Sequence, residues 1–167
     1  MLQPLVRRSW AEQGQTPVIE HWHRHDRLSG ITALVLSPGR RRVNMYFQLL
    51  DHNAKAEDFA WFLEYLHQEV KRKMWIVWDN LSAHRKAESV LEQHNCRWAH
   101  FEHLPSYSPE LNPVEHVWST AKWGRMANTP PDDTQQLYEY VHETLTGQAN
   151  ETQLLKAHFR WAGLDLN

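Results

Sequence analysis

Apolar positions along this chain change their period several times, and each change marks an element. After a turn at Gly14-Gln15-Thr16-Pro17, the stretch Val18 to Trp22 reads as extended. Ile31 to Leu36 is an apolar, partly β-branched run that ends at Ser37-Pro38-Gly39, a turn signal, and Val43 to Leu50 resumes as a strand. Two such runs across a Pro-Gly turn predict antiparallel neighbours. The period then becomes helical through Phe59, Phe62, Leu63, Leu66 and Val70, with Asn53 as the expected N-cap and Lys71-Arg72-Lys73 at the C-terminus. Met74 to Trp78 is continuously apolar, the pattern of a strand buried on both faces, with Trp75 and Trp78 in the core. Ala87, Val90 and Leu91 mark a second helix closed by Asn95, and Trp98 to His103 a short strand. Asn112-Pro113 opens a third helix with Val114, Val117, Trp118 and Ala121 on one face, and Thr134 to Trp161 reads as two more helices. This order predicts an α/β fold, a mixed sheet with helical cover. Residues 1–127 are expected to form the main domain, and 128–167 a helical extension packed on it.

Composition narrows the picture. With 167 residues the chain suits one core, and 41% hydrophobic and 23% charged residues are ordinary for a globular protein. No apolar run is long enough to span a bilayer and no signal peptide is evident, so no membrane partner and a cytoplasmic location are expected. Cys96 is the one cysteine, which excludes an internal disulfide and a cysteine-rich zinc site. The net charge of −2 is low for a DNA-binding protein, but the cations are clustered at Arg7-Arg8, Arg40-Arg41-Arg42 and Lys71-Arg72-Lys73. Such clusters suit phosphate contacts, and equally a solvated surface.

The candidate chemistry rests on two carboxylates. Asp79 ends the most apolar strand, where open α/β sheets place their ligand crevice; it also suits a cap on the turn that follows. Glu115 falls at the third position of the helix opened by Asn112 and Pro113, where it suits either a capping box or a cleft facing Asp79. Two such hard oxygen donors, brought together, fit Mg²⁺ or Mn²⁺. His21, His23 and His25 share one strand face, a spacing that suits a transition metal or simply exposed histidines.

The segment Trp78-Asp79-Asn80-Leu81-Ser82-Ala83-His84, the segment Leu104-Pro105-Ser106-Tyr107-Ser108-Pro109-Glu110-Leu111-Asn112-Pro113-Val114-Glu115-His116-Val117-Trp118, and Lys122 together resemble the mariner-like transposases of the insertion-sequence six-thirty family. Thirty-five residues lie between Asp79 and Glu115, close to that family's gap. Arg7-Arg8-Ser9-Trp10 with Gly14 to Pro17 also looks like the segment after its first catalytic strand, so the resemblance runs from about Leu2 to Trp123. It implies an RNase H-like fold and a site of Asp, Asp and Glu holding two Mg²⁺ or Mn²⁺ ions. Asp79 matches the second carboxylate and Glu115 the third, with Asn80, His84 and Asn112 in support.

The first carboxylate is expected on a strand just before Leu2, so the chain reads as truncated; Asp26, Asp51 and Asp58 do not match the motif. The implied partners are double-stranded DNA (terminal inverted repeats and target), met by Lys122 and Arg40-Arg41-Arg42, and a second copy in a homodimer associated with the nucleoid when on DNA. Other readings stand beside this one. They are a truncated, non-catalytic regulator that dimerises with an intact transposase, an RNase H-like nuclease of other specificity, and a histidine-based metal module.

Overall fold

The structure, a computed structural model, describes residues 12–14, 28–124, 131 and 133–166. The expected strand at Val18 to Trp22 and the triad His21, His23 and His25 lie outside them. The first two described strands, β1 (Ser29–Leu36) and β2 (Val43–Leu50), form an antiparallel hairpin in the register Ser29 to Leu50 and Leu36 to Val43. Its turn is closed by Arg40 N donating to Ser37 O and by Arg42 N donating to Ser37 Oγ. Both faces of the hairpin are covered, because side chains alternate along a strand and here both sets are apolar. Leu34, Leu36, Val43, Met45 and Phe47 pack on one side, with Val117, Val141, Leu145, Leu155 and Phe159. Ile31, Ala33, Tyr46 and Leu50 pack on the other, with Phe59 and Phe62.

The N-cap of helix α1 (Ala56–Val70) lies two residues later than expected. Lys55, not Asn53, is the N-cap, because the Asp58 carboxylate reaches back to accept from Lys55 N at 2.7 Å. The helix ends where Lys71 turns left-handed, its N–H closing on His67 O. It leads into β3 (Met74–Trp78), α2 (Ser82–Gln93) and β4 (Ala99–His103). β3 and β4 run parallel, Trp78 beside His103. Leu63, Leu66, Ala87 and Leu91 of α1 and α2 cover one face of this pair, against Trp78, Ile76 and Phe101.

The α/β order with helical cover is as expected; among the described residues its strands form one antiparallel and one parallel two-stranded ladder. One expectation is corrected here: β3 is not buried on both faces. Trp78 is buried, but Trp75 is 73% and Val77 58% exposed, because among the described residues α1 and α2 cover one face and nothing covers the other.

After a short 3-10 turn (Pro109–Leu111) come α3 (Pro113–Trp123), α4 (Thr134–Ala149) and α5 (Thr152–Trp161). Asp133 caps α4 by accepting from Gln136 N. A buried polar relay ties the three helices together. His158 Nε2 of α5 donates to Gln148 Oε1 of α4 at 3.1 Å, and Gln148 Nε2 donates to Val117 O of α3 at 3.3 Å. No described helix is long and apolar enough to cross a membrane.

Candidate active site

Asp79 leaves the C-terminal end of β3, and its side chain is about half exposed. Its Oδ1 accepts from Leu81 N at 3.1 Å, so the turn-capping role that the sequence allows is realised. The same oxygen lies 2.7 Å from His84 Nδ1, which also hydrogen-bonds to the Asp79 backbone carbonyl at 3.3 Å. Both neighbours accept only, so Nδ1 carries the proton. Oδ2 has no such partner among the described residues, and one lone-pair-bearing oxygen of a firmly oriented carboxylate is left open.

His84 is held by rings on two sides. It stacks on Trp78, centroids 4.5 Å apart and planes 1° from parallel, and Phe59 of α1 meets it edge-on at 4.6 Å. Sequence reasoning missed this grip. It also missed Glu88, which stands four residues after His84 on α2 and accepts from Trp78 Nε1 at 2.9 Å and pairs with His103 Nε2 at 3.0 Å. The His84–Glu88 spacing, one turn on a helix whose inner face carries Ala87 and Leu91, was the available signal. The Asn80 side chain hydrogen-bonds away from the Asp79 carboxylate. Its Nδ2 donates to Leu104 O at 3.1 Å and so ties the exit of β4 to the end of β3.

Glu115 sits where the sequence places it. Asn112 caps α3 by accepting from Val114 N at 3.1 Å, Pro113 is first in the helix, and Glu115 N donates to Asn112 O. The capping-box alternative is not realised, since the Glu115 carboxylate is exposed and makes no hydrogen bond among the described residues. One turn on, the Trp118 ring lies on Gly30 at the start of β1; a Cβ at Gly30 would stand 2.2 Å from Trp118 Cη2.

Both carboxylates are therefore anchored to one end of the hairpin. Glu115 is tied through Trp118 to Gly30. Asp79 is tied through His84 to Phe59, which packs with Ile31 and Leu50. Gly30 and Ile31 are neighbours facing opposite layers. Arg40, Arg41 and Arg42 are exposed on the hairpin turn at the far end of the strands. They stand roughly 25 Å away, at about 3.3 Å per residue. Lys122 is half-buried in the last turn of α3, seven residues and roughly 10 Å along the helix from Glu115.

Of the early aspartates, Asp26 lies outside the described residues, and Asp51 and Asp58 are engaged elsewhere. His52 bridges Asp51 at 3.0 Å and Asp58 at 3.1 Å. The hydrogen bond to Asp51, then that to Asp58, raises the His52 pKa. The Lys55 N–H, then His52, holds the Asp58 carboxyl below its usual range. No group of three or more His, Cys, Asp or Glu side chains arranged to hold a metal occurs among the described residues. Asp79 and Glu115 nonetheless fit a hard divalent cation by donor chemistry, since each offers a free carboxylate oxygen.

Comparison with known proteins places this mixed α/β scaffold in a family. Residues 1–138 match the family described as DDE superfamily endonuclease, and the chain belongs to that family. Among solved structures, the crystal structure of the Mos1 strand transfer complex is similar, with a TM-score of 0.59 over 96% of this chain at 18% identity. The chain spans 46% of that protein's length. The likeness shows the RNase H-like fold that the sequence motif implies. Comparison with curated protein sequences gives no match.

Proposed function

We propose that this chain is a transposase catalytic core of the mariner-like, insertion-sequence six-thirty kind, acting on double-stranded DNA at transposon ends and target. The observation that carries this reading is the pair of half-free carboxylates tethered to one end of the β1–β2 hairpin. Its support is the family membership and the likeness to a protein crystallised as a strand transfer complex. Asp79 Oδ2 and the Glu115 carboxylate would hold Mg²⁺ or Mn²⁺, with a further carboxylate completing a two-ion site. Bound divalent ions supply activation of the attacking oxygen and charge neutralisation at the leaving oxygen of an in-line phosphoryl transfer. The chain's own residues position these ligands. His84 fixes the Asp79 carboxylate and leaves Oδ2 outward, Asn112 starts the helix that presents Glu115, and no covalent nucleophile is needed. Lys122 and the Arg40–Arg42 turn are assigned to DNA phosphates, and a second copy of the chain to a functional dimer.

The test is Mn²⁺ titration followed by electron paramagnetic resonance. Asp79→Ala and Glu115→Ala each weaken binding by at least tenfold, and the double variant is no worse than either single one, as a shared ion requires. Independent, additive losses would sink the shared site. A polypeptide of these 167 residues presents two motif carboxylates, so its Mg²⁺-dependent cleavage of a transposon-end duplex is expected to be weak or nil. Robust cleavage, abolished by Asp79→Ala, would refute that expectation.

A further inference from the structure

The loop between the two carboxylate-bearing elements carries one side chain that the proposed chemistry does not use. Tyr107 is 101% exposed, so its ring is not packed against any of the described residues. Its backbone is left-handed, with φ +61°. For a bulky residue that conformation costs about 1 kcal/mol or more and persists where the surrounding chain enforces it. Here both flanks are fastened. On the upstream side Leu104 N donates to Trp78 O at 2.8 Å, and Asn80 Nδ2 donates to Leu104 O. On the downstream side Leu111 N donates to Ser108 O and Asn112 N to Pro109 O, leading directly into the cap of α3.

The ring therefore stands on a braced loop that runs from the C-terminal end of β4, beside β3, to the start of the helix that carries Glu115. Two further apolar side chains adjoin these segments in sequence and are exposed: Leu81, directly after Asn80, and Leu111, directly before Asn112. An unburied aromatic on a rigid, strained loop has surrendered stability without gaining any within the chain. In a family of endonucleases, the aromatic partner that reaches such a site is a nucleobase. Bases within an intact duplex already stack on both faces, so a protruding ring is matched by an unpaired one.

We propose that Tyr107 is a positioning residue that stacks on an unpaired nucleobase beside the reacting phosphate, favouring frayed or flipped DNA over closed duplex. This rests on the DNA-acting reading above. It predicts a preference of roughly 5- to 150-fold for DNA with unpaired bases, the range that one base–aromatic stack supplies.

The experiment uses the whole chain in Ca²⁺ and two fluorescent probes: a blunt 20-base-pair duplex, and the same duplex with three unpaired nucleotides at one end, the middle one 2-aminopurine. Wild type and Tyr107→Phe bind the frayed probe more tightly and quench the 2-aminopurine. Tyr107→Gly suits the left-handed backbone and keeps the fold. It binds both probes alike and leaves the fluorophore bright. A Gly variant that keeps the preference and the quenching overturns the assignment while leaving the DNA-acting reading intact. A Phe variant that behaves like Gly overturns it too, because the hydroxyl and not the ring would be responsible. Failure of the wild type to bind either probe overturns the DNA-acting reading and this inference with it.

Discussion

Lowering the pH from 7 to 5 should unfasten this protein through one histidine. His158 is fully buried; its Nε2 is committed to Gln148, and its Nδ1 is buried with no hydrogen-bond partner among the described residues. Protonation there would place a cation in an apolar layer, with the His116 imidazole as a further unfavourable neighbour. Burial first, and His116 second, push the His158 pKa down to about 4. The folded-state value is depressed, so between the unfolded value near 6.5 and about 4 the unfolded chain binds more protons than the folded one. Stability is thus complete above pH 6.5 and is lost as pH falls through that window. A gap of that size is equivalent to about 2 kcal/mol between pH 7 and pH 5. With a urea dependence of about 2 kcal/mol per molar, the midpoint should fall by about 1 M.

The assay is urea unfolding at pH 7, 6 and 5 for wild type and His158→Phe. The chain has 12 histidines, so the difference between the two proteins isolates this one. The Phe variant should start lower by about 1–3 kcal/mol, because Gln148 loses its donor, and should then lose less stability on acidification. Parallel pH profiles for the two proteins would refute the reasoning.

Further outcomes follow from the same geometry. Gly30→Ala drives a methyl into the Trp118 ring; it should lower stability by about 1–3 kcal/mol and weaken Mn²⁺ binding, both measurable on one sample. His84→Ala frees the Asp79 carboxylate to rotate, and a loss of roughly 10- to 100-fold in Mn²⁺ affinity is expected; an unchanged affinity would show that the imidazole does not position the ligand. Asn112→Ala removes the cap of α3 and should cost about 1 kcal/mol in urea unfolding. Trp75→Ser, on the uncovered face of β3, should change stability by no more than about 0.5 kcal/mol; a loss above about 2 kcal/mol would mean that this face is packed in solution.

Periodicity alone located the hairpin, α1, α2, α3 and the two C-terminal helices, because each buries a face whose spacing is written locally. The cap of α3 was equally legible, since Asn-Pro-Val-Glu places four helix positions in one tetrapeptide. Burial was not legible for Met74 to Trp78. A run apolar at every position is identical for a strand covered on one face or two, and what covers it lies elsewhere in the chain. The N-cap of α1 was misplaced because Asp58, a residue inside the helix, does the capping. In the candidate site, a motif singles out Asp79 and Glu115, whereas nothing in the sequence marks the grip on His84. Phe59, Trp78 and His84 come from three elements and meet only once the layers pack.

The neighbouring positions Gly30 and Ile31 serve opposite layers, one seating α3 and the other the Phe59 side of α1. A shift of that single dipeptide would disturb both seats at once, so the helix that presents Glu115 and the ring that braces His84 beside Asp79 share one pivot. Substitutions at that pivot would then alter the setting of both acids without touching either carboxylate.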